Sequence, residues 1–234
     1  MKILSLIIVG TMLSGTLFAI DWNYDSHGPA HWSQLSPEYH LCADGKTQSP
    51  IDLTSLTRAE ITAPSMSYRS STGKVADNGH SIQWTPDQKM QLTLNNKTYT
   101  LLQIHFHTPS EHLLNGIAFP AEAHLVHQDE KGSLLVIGVF LKSGNSNAFV
   151  DNMLSDLQTQ KASLLNPAGL LPKYKKILRY NGSLTTPPCT EGVTWVVMQA
   201  PVTLSPSQLQ ALSAQFAGNS RPIQPRNARV ILKE

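Results

Sequence analysis

Six residues, Leu102-Gln103-Ile104-His105-Phe106-His107, alternate apolar and polar with a period of two. That pattern fits an extended strand with two unlike faces and does not fit a helix. Gln103, His105 and His107 share one face; Leu102, Ile104 and Phe106 share the other. A second segment, Ala121-Glu122-Ala123-His124-Leu125-Val126-His127, puts Glu122, His124 and Val126 on one face in the same way. Two such strands running antiparallel side by side bring His105, His107 and His124 to one point, with Gln103 and Glu122 behind them.

Three imidazoles at one point suit Zn²⁺, for which neutral imidazole is a good borderline ligand. Three protein ligands leave a fourth position open for water, which is the arrangement of a catalytic rather than a structural site. Gln103 and Glu122 each stand two residues from a ligand on the same face, placed to accept the outer ring N–H groups and fix their tautomers. An isolated HxH pair is weak testimony. Cupin-type barrels also combine an HxH pair with a later histidine, so the ligands alone do not settle the fold.

Further apolar or alternating segments at residues 81–84, 90–94, 98–107, 122–127, 134–141 and 193–199 predict strands. Asn95-Asn96-Lys97 predicts a tight hairpin, because Asn tolerates positive φ, and Gly132 opens the next reversal in the same manner. Two helices stand out. Residues 147–157 carry Phe149, Met153, Leu154 and Leu157 on one stripe, and Ser205-Pro206 caps a second helix carrying Leu209, Leu212 and Phe216. Neither carries obvious chemistry; both are expected to cover the sheet. The proline- and glycine-rich ends read as ordered loops wrapped over it. The fold class is α+β and β-dominated: a single domain on a large, mostly antiparallel central sheet with a few peripheral helices.

Residues 1–19 hold one cation, an apolar run and a small residue, Ala19, where cleavage could fall, which reads as a secretory signal peptide. Leu17 is larger than its position normally takes. A membrane anchor is the other reading, but the run is broken by Ser, Thr and Gly and is shorter than the roughly 20 residues a span prefers. Residues 20–234 contain no linker, charge run or repeat that would divide them. An exported chain meets an oxidising compartment, so its two cysteines, Cys42 and Cys189, predict one disulfide. Zinc ligation by cysteine is the alternative, although neither has a CxxC partner. A formal charge of +2 with scattered Lys and Arg gives no reason to expect nucleic acid or an anionic membrane as partner.

From residue 98 to 127, and again at Asn181-Gly182-Ser183-Leu184-Thr185-Thr186-Pro187-Pro188-Cys189, the chain resembles the α-class carbonic anhydrases. Trp22-Asn23-Tyr24, Gly28-Pro29-Ala30-His31-Trp32, Gln48-Ser49-Pro50-Ile51, Asn78-Gly79-His80, Ser110-Glu111-His112, Val193-Thr194-Trp195 and Arg221-Pro222-Ile223-Gln224-Pro225 fall in the family's order. The resemblance spans essentially the whole mature chain and is closest to the compact, secreted bacterial branch.

The resemblance implies a zinc enzyme that hydrates carbon dioxide reversibly to bicarbonate and a proton through zinc-bound hydroxide. His105, His107 and His124 would be the ligands, with Asn219 supplying a backbone carbonyl to the second of them. Thr185 would accept a hydrogen bond from the hydroxide, and Glu111, an acceptor only when ionised, would take the Thr185 hydroxyl proton and so set that direction. His80 matches the proton shuttle, with Tyr24, Asn78 and Gln83 lining its water chain. Carbon dioxide is small and apolar, and Val126, Val136, Leu184, Val193 and Trp195 match the wall beside it; Thr186 orients departing bicarbonate. The same positions also read as ordinary core. His27, His31, His40, His112 and His127 receive no catalytic role; His112 is placed in a buried hydrogen-bonding cluster and His127 on the face opposite His124.

Two departures stand out: Thr108-Pro109 follows the HxH where many animal members have an aromatic residue and a glycine, and Ser220 replaces an aromatic residue after Asn219. Cis bonds at Ser49-Pro50 and Pro187-Pro188 are carried over from the family. The branch implies a periplasmic location, no membrane anchor once the signal is removed, and a homodimer as one assembly. The rival from another class is a non-catalytic zinc-binding or adhesion module on the same scaffold. Esterase action is a side activity on this reading, and an iron-dependent cupin-like oxygenase would leave Thr185 and Glu111 unexplained.

Overall fold

The fold is that of a computed structural model, which describes residues 22–216 and 218–234; the signal segment 1–19 lies outside them. Its strands are β1 (Asp52–Leu53), β2 (Thr57–Arg58), β3 (Ser65–Ser67), β4 (Gly73–Asp77), β5 (Ile82–Pro86), β6 (Gln91–Leu94), β7 (Lys97–His107), β8 (Leu113–Leu114), β9 (Ala121–Gln128), β10 (Leu134–Ser143), β11 (Ile177–Ser183), β12 (Glu191–Leu204) and β13 (Leu232–Lys233). Eleven of them form one sheet in the order β2-β13-β11-β12-β10-β9-β7-β5-β4, and β1 pairs with β8 apart from it. β6 joins the same edge of β7 as β5, against the first part of that strand, and carries β3 outside it. Within the large sheet β10–β12 and β13–β2 are parallel and every other pairing is antiparallel, as the patterning predicts.

The short reversals follow their residues. Asn95 and Asn96 both take positive φ, 49° and 61°, between Leu94 and Lys97, which face each other across the hairpin. Helices α1 (Trp32–Leu35) and α2 (Leu41–Asp44) lie in the N-terminal stretch, which is therefore less irregular than its composition suggests. Asn147 caps α3 (Ala148–Thr159) by accepting the Phe149 N–H at 3.0 Å, and Ser205 forms a reciprocal capping box with Gln208 on α4 (Pro206–Gln215).

One apolar core lies on the sheet face turned away from the three histidines, where Ile104, Phe106, Leu125 and Ile137 meet Phe149, Met153 and Leu212 of the helices. A second holds Val126, Val136, Val193 and Trp195 on the histidine side, and a third gathers Trp32 with the Cys42–Cys189 disulfide. Because the faces alternate, β7 and β9 each seal the back core with one set of side chains and present the polar set forward.

Several elements differ from the patterning. β12 runs five residues beyond residue 199, and β4 and β11 are strands that the composition of Gly73–Asp77 and Ile177–Ser183 conceals. In β11, Asn181 and Gly182 are turn formers, but that strand is held between β12 and β13 and the pairing overrides propensity. Leu102 does not share the buried face of Ile104 and Phe106: a bulge between Leu101 and Gln103 leaves it 39% exposed.

Candidate metal centre

Register assembles the centre. Across β7 and β9, His105 stands directly opposite His124, and His107 opposite Glu122. The imidazole centroids lie 4.9 Å (His105–His107), 5.2 Å (His105–His124) and 4.6 Å (His107–His124) apart, and one nitrogen from each ring lies within 4.8 Å of the other two. The opposite nitrogen of each ring meets an acceptor: Gln103 Oε1 at 2.8 Å from His105 Nδ1, the Asn219 carbonyl at 2.7 Å from His107 Nδ1, and Glu122 Oε1 at 3.0 Å from His124 Nε2. Each ring donates outward, so His105 Nε2, His107 Nε2 and His124 Nδ1 face inward as bare lone pairs.

Those inward atoms could hold a metal cation. His107 Nε2 is buried with no hydrogen-bond partner, and so is Glu111 Oε2, 3.4 Å away. Two buried acceptors facing each other are unfavourable unless something positive joins them. Burial also keeps the rings neutral and ready to ligate: it pushes His107 down to about 4 and His105 well below its ordinary value, and holds His124 down despite Glu122 beside it.

Glu111 accepts the Arg221 backbone N–H at 2.9 Å through Oε1. Burial pushes its carboxyl up to about 7, against the pull of His124, the Arg221 N–H and the nearby Thr185 hydroxyl. Thr185 is itself buried, on the loop that follows β11. Glu122 is tied at four points: Oε1 accepts from His124 and, at 2.8 Å, from His112 Nδ1, while Oε2 accepts the N–H groups of Glu111 and His112 at 3.0 and 2.9 Å. Burial raises this carboxyl, but His112 and His124 outweigh it and hold it well below the usual range. His112 continues to Tyr180 at 2.6 Å and Tyr180 to Ser49 at 2.8 Å, forming the buried cluster expected for His112.

A cleft of about 190 Å³ reaches the centre, lined by Tyr24, Asn78, His80 and Gln83 together with His105, His107 and Thr186. Asn78 Oδ1 accepts the N–H groups of His80 and Ser81 at 3.0 and 2.8 Å, and its amide donates to Gln83 at 3.3 Å. The Trp22 ring stacks on His80 with centroids 3.6 Å apart and 9° between planes. Tyr24 is kept protonated, its hydroxyl raised by burial and by Glu111. Beside the histidines, Val126, Val136, Val193 and Trp195 form one buried apolar cluster with Leu184 packed against it, and the Trp195 ring lies 4.9 Å from His124. His127 lies on the far face, bonded to the Tyr68 hydroxyl at 2.7 Å.

The Thr185 loop is braced from outside the centre. Cys189, which ends it, is joined to Cys42 in the single disulfide expected, across a sequence separation of 147. Gln48 links the Cys189 carbonyl, at 3.0 Å, to the Arg221 guanidinium, at 2.8 Å. The peptide bonds Ser49-Pro50 and Pro187-Pro188 are cis, as is Thr108-Pro109, which nothing in the sequence foretold. Sequence reasoning also gave no role to Trp22, Gln48, Ser81 or Arg221; apart from Ser81, all lie within quoted motifs, but what each touches depends on distant chain.

Fold and site together define a class: a β-sheet protein with a three-histidine cluster able to hold a metal ion at the foot of a polar cleft, flanked by an apolar wall. Residues 27–234 match the family model of eukaryotic-type carbonic anhydrases. A carbonic anhydrase of Neisseria gonorrhoeae is 40% identical over 220 residues, spanning 91% of this chain and 87% of that one. The α-carbonic anhydrase of Thermovibrio ammonificans, solved with the inhibitor sulfanilamide, superposes with a TM-score of 0.88 at 40% identity over 92% of this chain and 100% of that one. Dioscorin, solved with ascorbate, shares the fold with a TM-score of 0.82 at 31% identity over 91% of this chain and 97% of that one. The chain belongs to the α-carbonic anhydrase family.

Proposed function

We propose that this protein interconverts carbon dioxide and water with bicarbonate and a proton at a zinc ion held by His105, His107 and His124. The observation that carries the reading is the set of three inward, unprotonated ring nitrogens with Glu111 and Thr185 beside them. Zinc bound there would supply a Lewis acid able to lower the pKa of water to near neutrality, the property for which carbonic anhydrase is itself the reference case.

The chain's own residues do the rest. Gln103, the Asn219 carbonyl and Glu122 fix the tautomers of the three rings. Beside a bound dication Glu111 would be held in its ionised, acceptor-only form. The Thr185 hydroxyl then donates to Glu111 and turns a lone pair towards the reacting oxygen, which orients the nucleophile. Val126, Val136, Leu184, Val193 and Trp195 present an apolar surface that suits carbon dioxide and offers bicarbonate no polar partner, while Thr186 at the cleft orients the departing anion. Tyr24, Asn78 and Gln83 hold water between the centre and His80, whose imidazole takes the released proton to solvent.

Residues 1–19 direct export and are removed, and residues 20–234 act in the periplasm, where the Cys42–Cys189 bond is stable. Among the described residues no helix is long and apolar enough to cross a membrane. A non-catalytic module on the same scaffold has no need of Thr185 and Glu111, both of which this chain carries. His107→Ala is expected to lose both zinc binding and turnover, measured by metal content and carbon dioxide hydration; full activity in that variant contradicts the ligand set.

A further inference from the structure

Asn219 and Ser81 are buried and make side-chain contacts that the mechanism above does not use. The β5 ladder on β7 ends at the pair Gln83–His105, so the next residue of β7, Phe106, has no strand partner on that side. Two side chains stand in for one. Ser81 Oγ accepts the Phe106 N–H at 3.0 Å and donates to the Phe106 carbonyl at 2.6 Å. The Asn219 amide donates both to that carbonyl and to the His80 carbonyl, each at 2.9 Å, while its oxygen accepts the Thr108 N–H at 2.8 Å.

Phe106 lies between two of the three histidine ligands, and His80 sits at the end of an exposed turn in which Gly79 takes a φ of +84°. Turns of this kind are mobile unless fastened. A group that passes protons through water must keep its distance from the donor within a narrow range. We propose that Asn219 and Ser81 are positioning residues for proton export: they clamp the His80 backbone to the strand between the ligands, fixing how far the imidazole stands from the centre. The inference rests on His80 being the proton shuttle. It is separable from metal binding, because the Asn219 group that meets His107 is a backbone carbonyl, which survives any substitution of the side chain.

The test compares zinc-loaded wild type, H80A, N219A and S81A by stopped-flow hydration in weak buffer and again with added imidazole, with zinc content and melting temperature measured in parallel. In N219A and S81A, kcat in weak buffer is expected to fall about tenfold, part of the roughly hundredfold or more that acid–base groups contribute, and imidazole to restore it. In S81A, which lies outside the metal-holding set, zinc content should match wild type and kcat/KM stay within about twofold, since the loss lies outside the carbon dioxide step. S81A, the smaller change, decides the matter if N219A does not fold. Wild-type kcat in either folded variant, while H80A is slow and rescued, overturns the clamp alone. A joint fall of kcat and kcat/KM that imidazole does not repair also overturns it. Wild-type kcat in H80A overturns the shuttle reading and the clamp with it.

Discussion

Both oxygens of the Glu122 carboxylate are committed, to His124 and His112 on one side and to two backbone N–H groups on the other. It has no freedom to move, and Gly138, in the middle of β10 and directly opposite His124, explains how it fits. A Cβ at Gly138 would lie 2.9 Å from Glu122 Oε1, closer than real contacts allow. Gly138→Ala is therefore expected to displace the carboxylate from His124 and weaken zinc binding by about tenfold or more, the usual consequence of disturbing a group behind a ligand. Competition with a fluorescent chelator would measure it, and unchanged affinity would show that the site yields more easily than its contacts imply. Glu122 itself was legible from its two-residue spacing to His124, whereas Gly138 was not, since a glycine in an apolar run announces no partner. Asn219 was readable only through the family resemblance: its contribution to His107 is a carbonyl, which every residue type possesses.

β9 carries buried imidazoles on opposite faces, His124 towards the metal centre and His127 towards the back of the sheet. Burial pushes His127 down to about 4 from its ordinary 6.5. The unfolded chain then takes up the proton first as pH falls, so the stability present above pH 6.5 is lost progressively between about 6.5 and 4, by about 3 kcal/mol for this group. Denaturant titrations from pH 7 to 4 should show a shallower decline in His127→Gln than in wild type; parallel declines would mean that His127 is not held neutral. The strands that were plain in the sequence are those with one apolar and one polar face, β7 and β9 above all. β11 was hidden because Arg179, Asn181 and Gly182 interrupt the pattern, and Leu102 was placed on the wrong face because a bulge depends on the partner strand.

The loop that carries Thr185 is joined to the N-terminal region by the Cys42–Cys189 bond and by Gln48, which reaches both Cys189 and Arg221. Arg221 in turn presents its N–H to Glu111. Segments far apart in the chain thus brace the Thr185 loop and Glu111, an arrangement no local pattern encodes. Closing so long a loop is worth about 4 to 5 kcal/mol in the chain-entropy description. Reduction, or paired Cys42→Ser and Cys189→Ser substitution, should lower the melting temperature by about 10 °C. Scanning calorimetry would detect the shift, and an unchanged transition would remove the disulfide from the forces holding the fold.

The most direct measurement strips metal from the purified mature protein, restores zinc, and follows carbon dioxide hydration by stopped flow with a pH indicator. Hydration is expected to be negligible in the stripped protein and fast after zinc is returned. Folded, zinc-loaded protein that hydrates carbon dioxide no faster than buffer would contradict the enzyme and leave a binding module on the same scaffold.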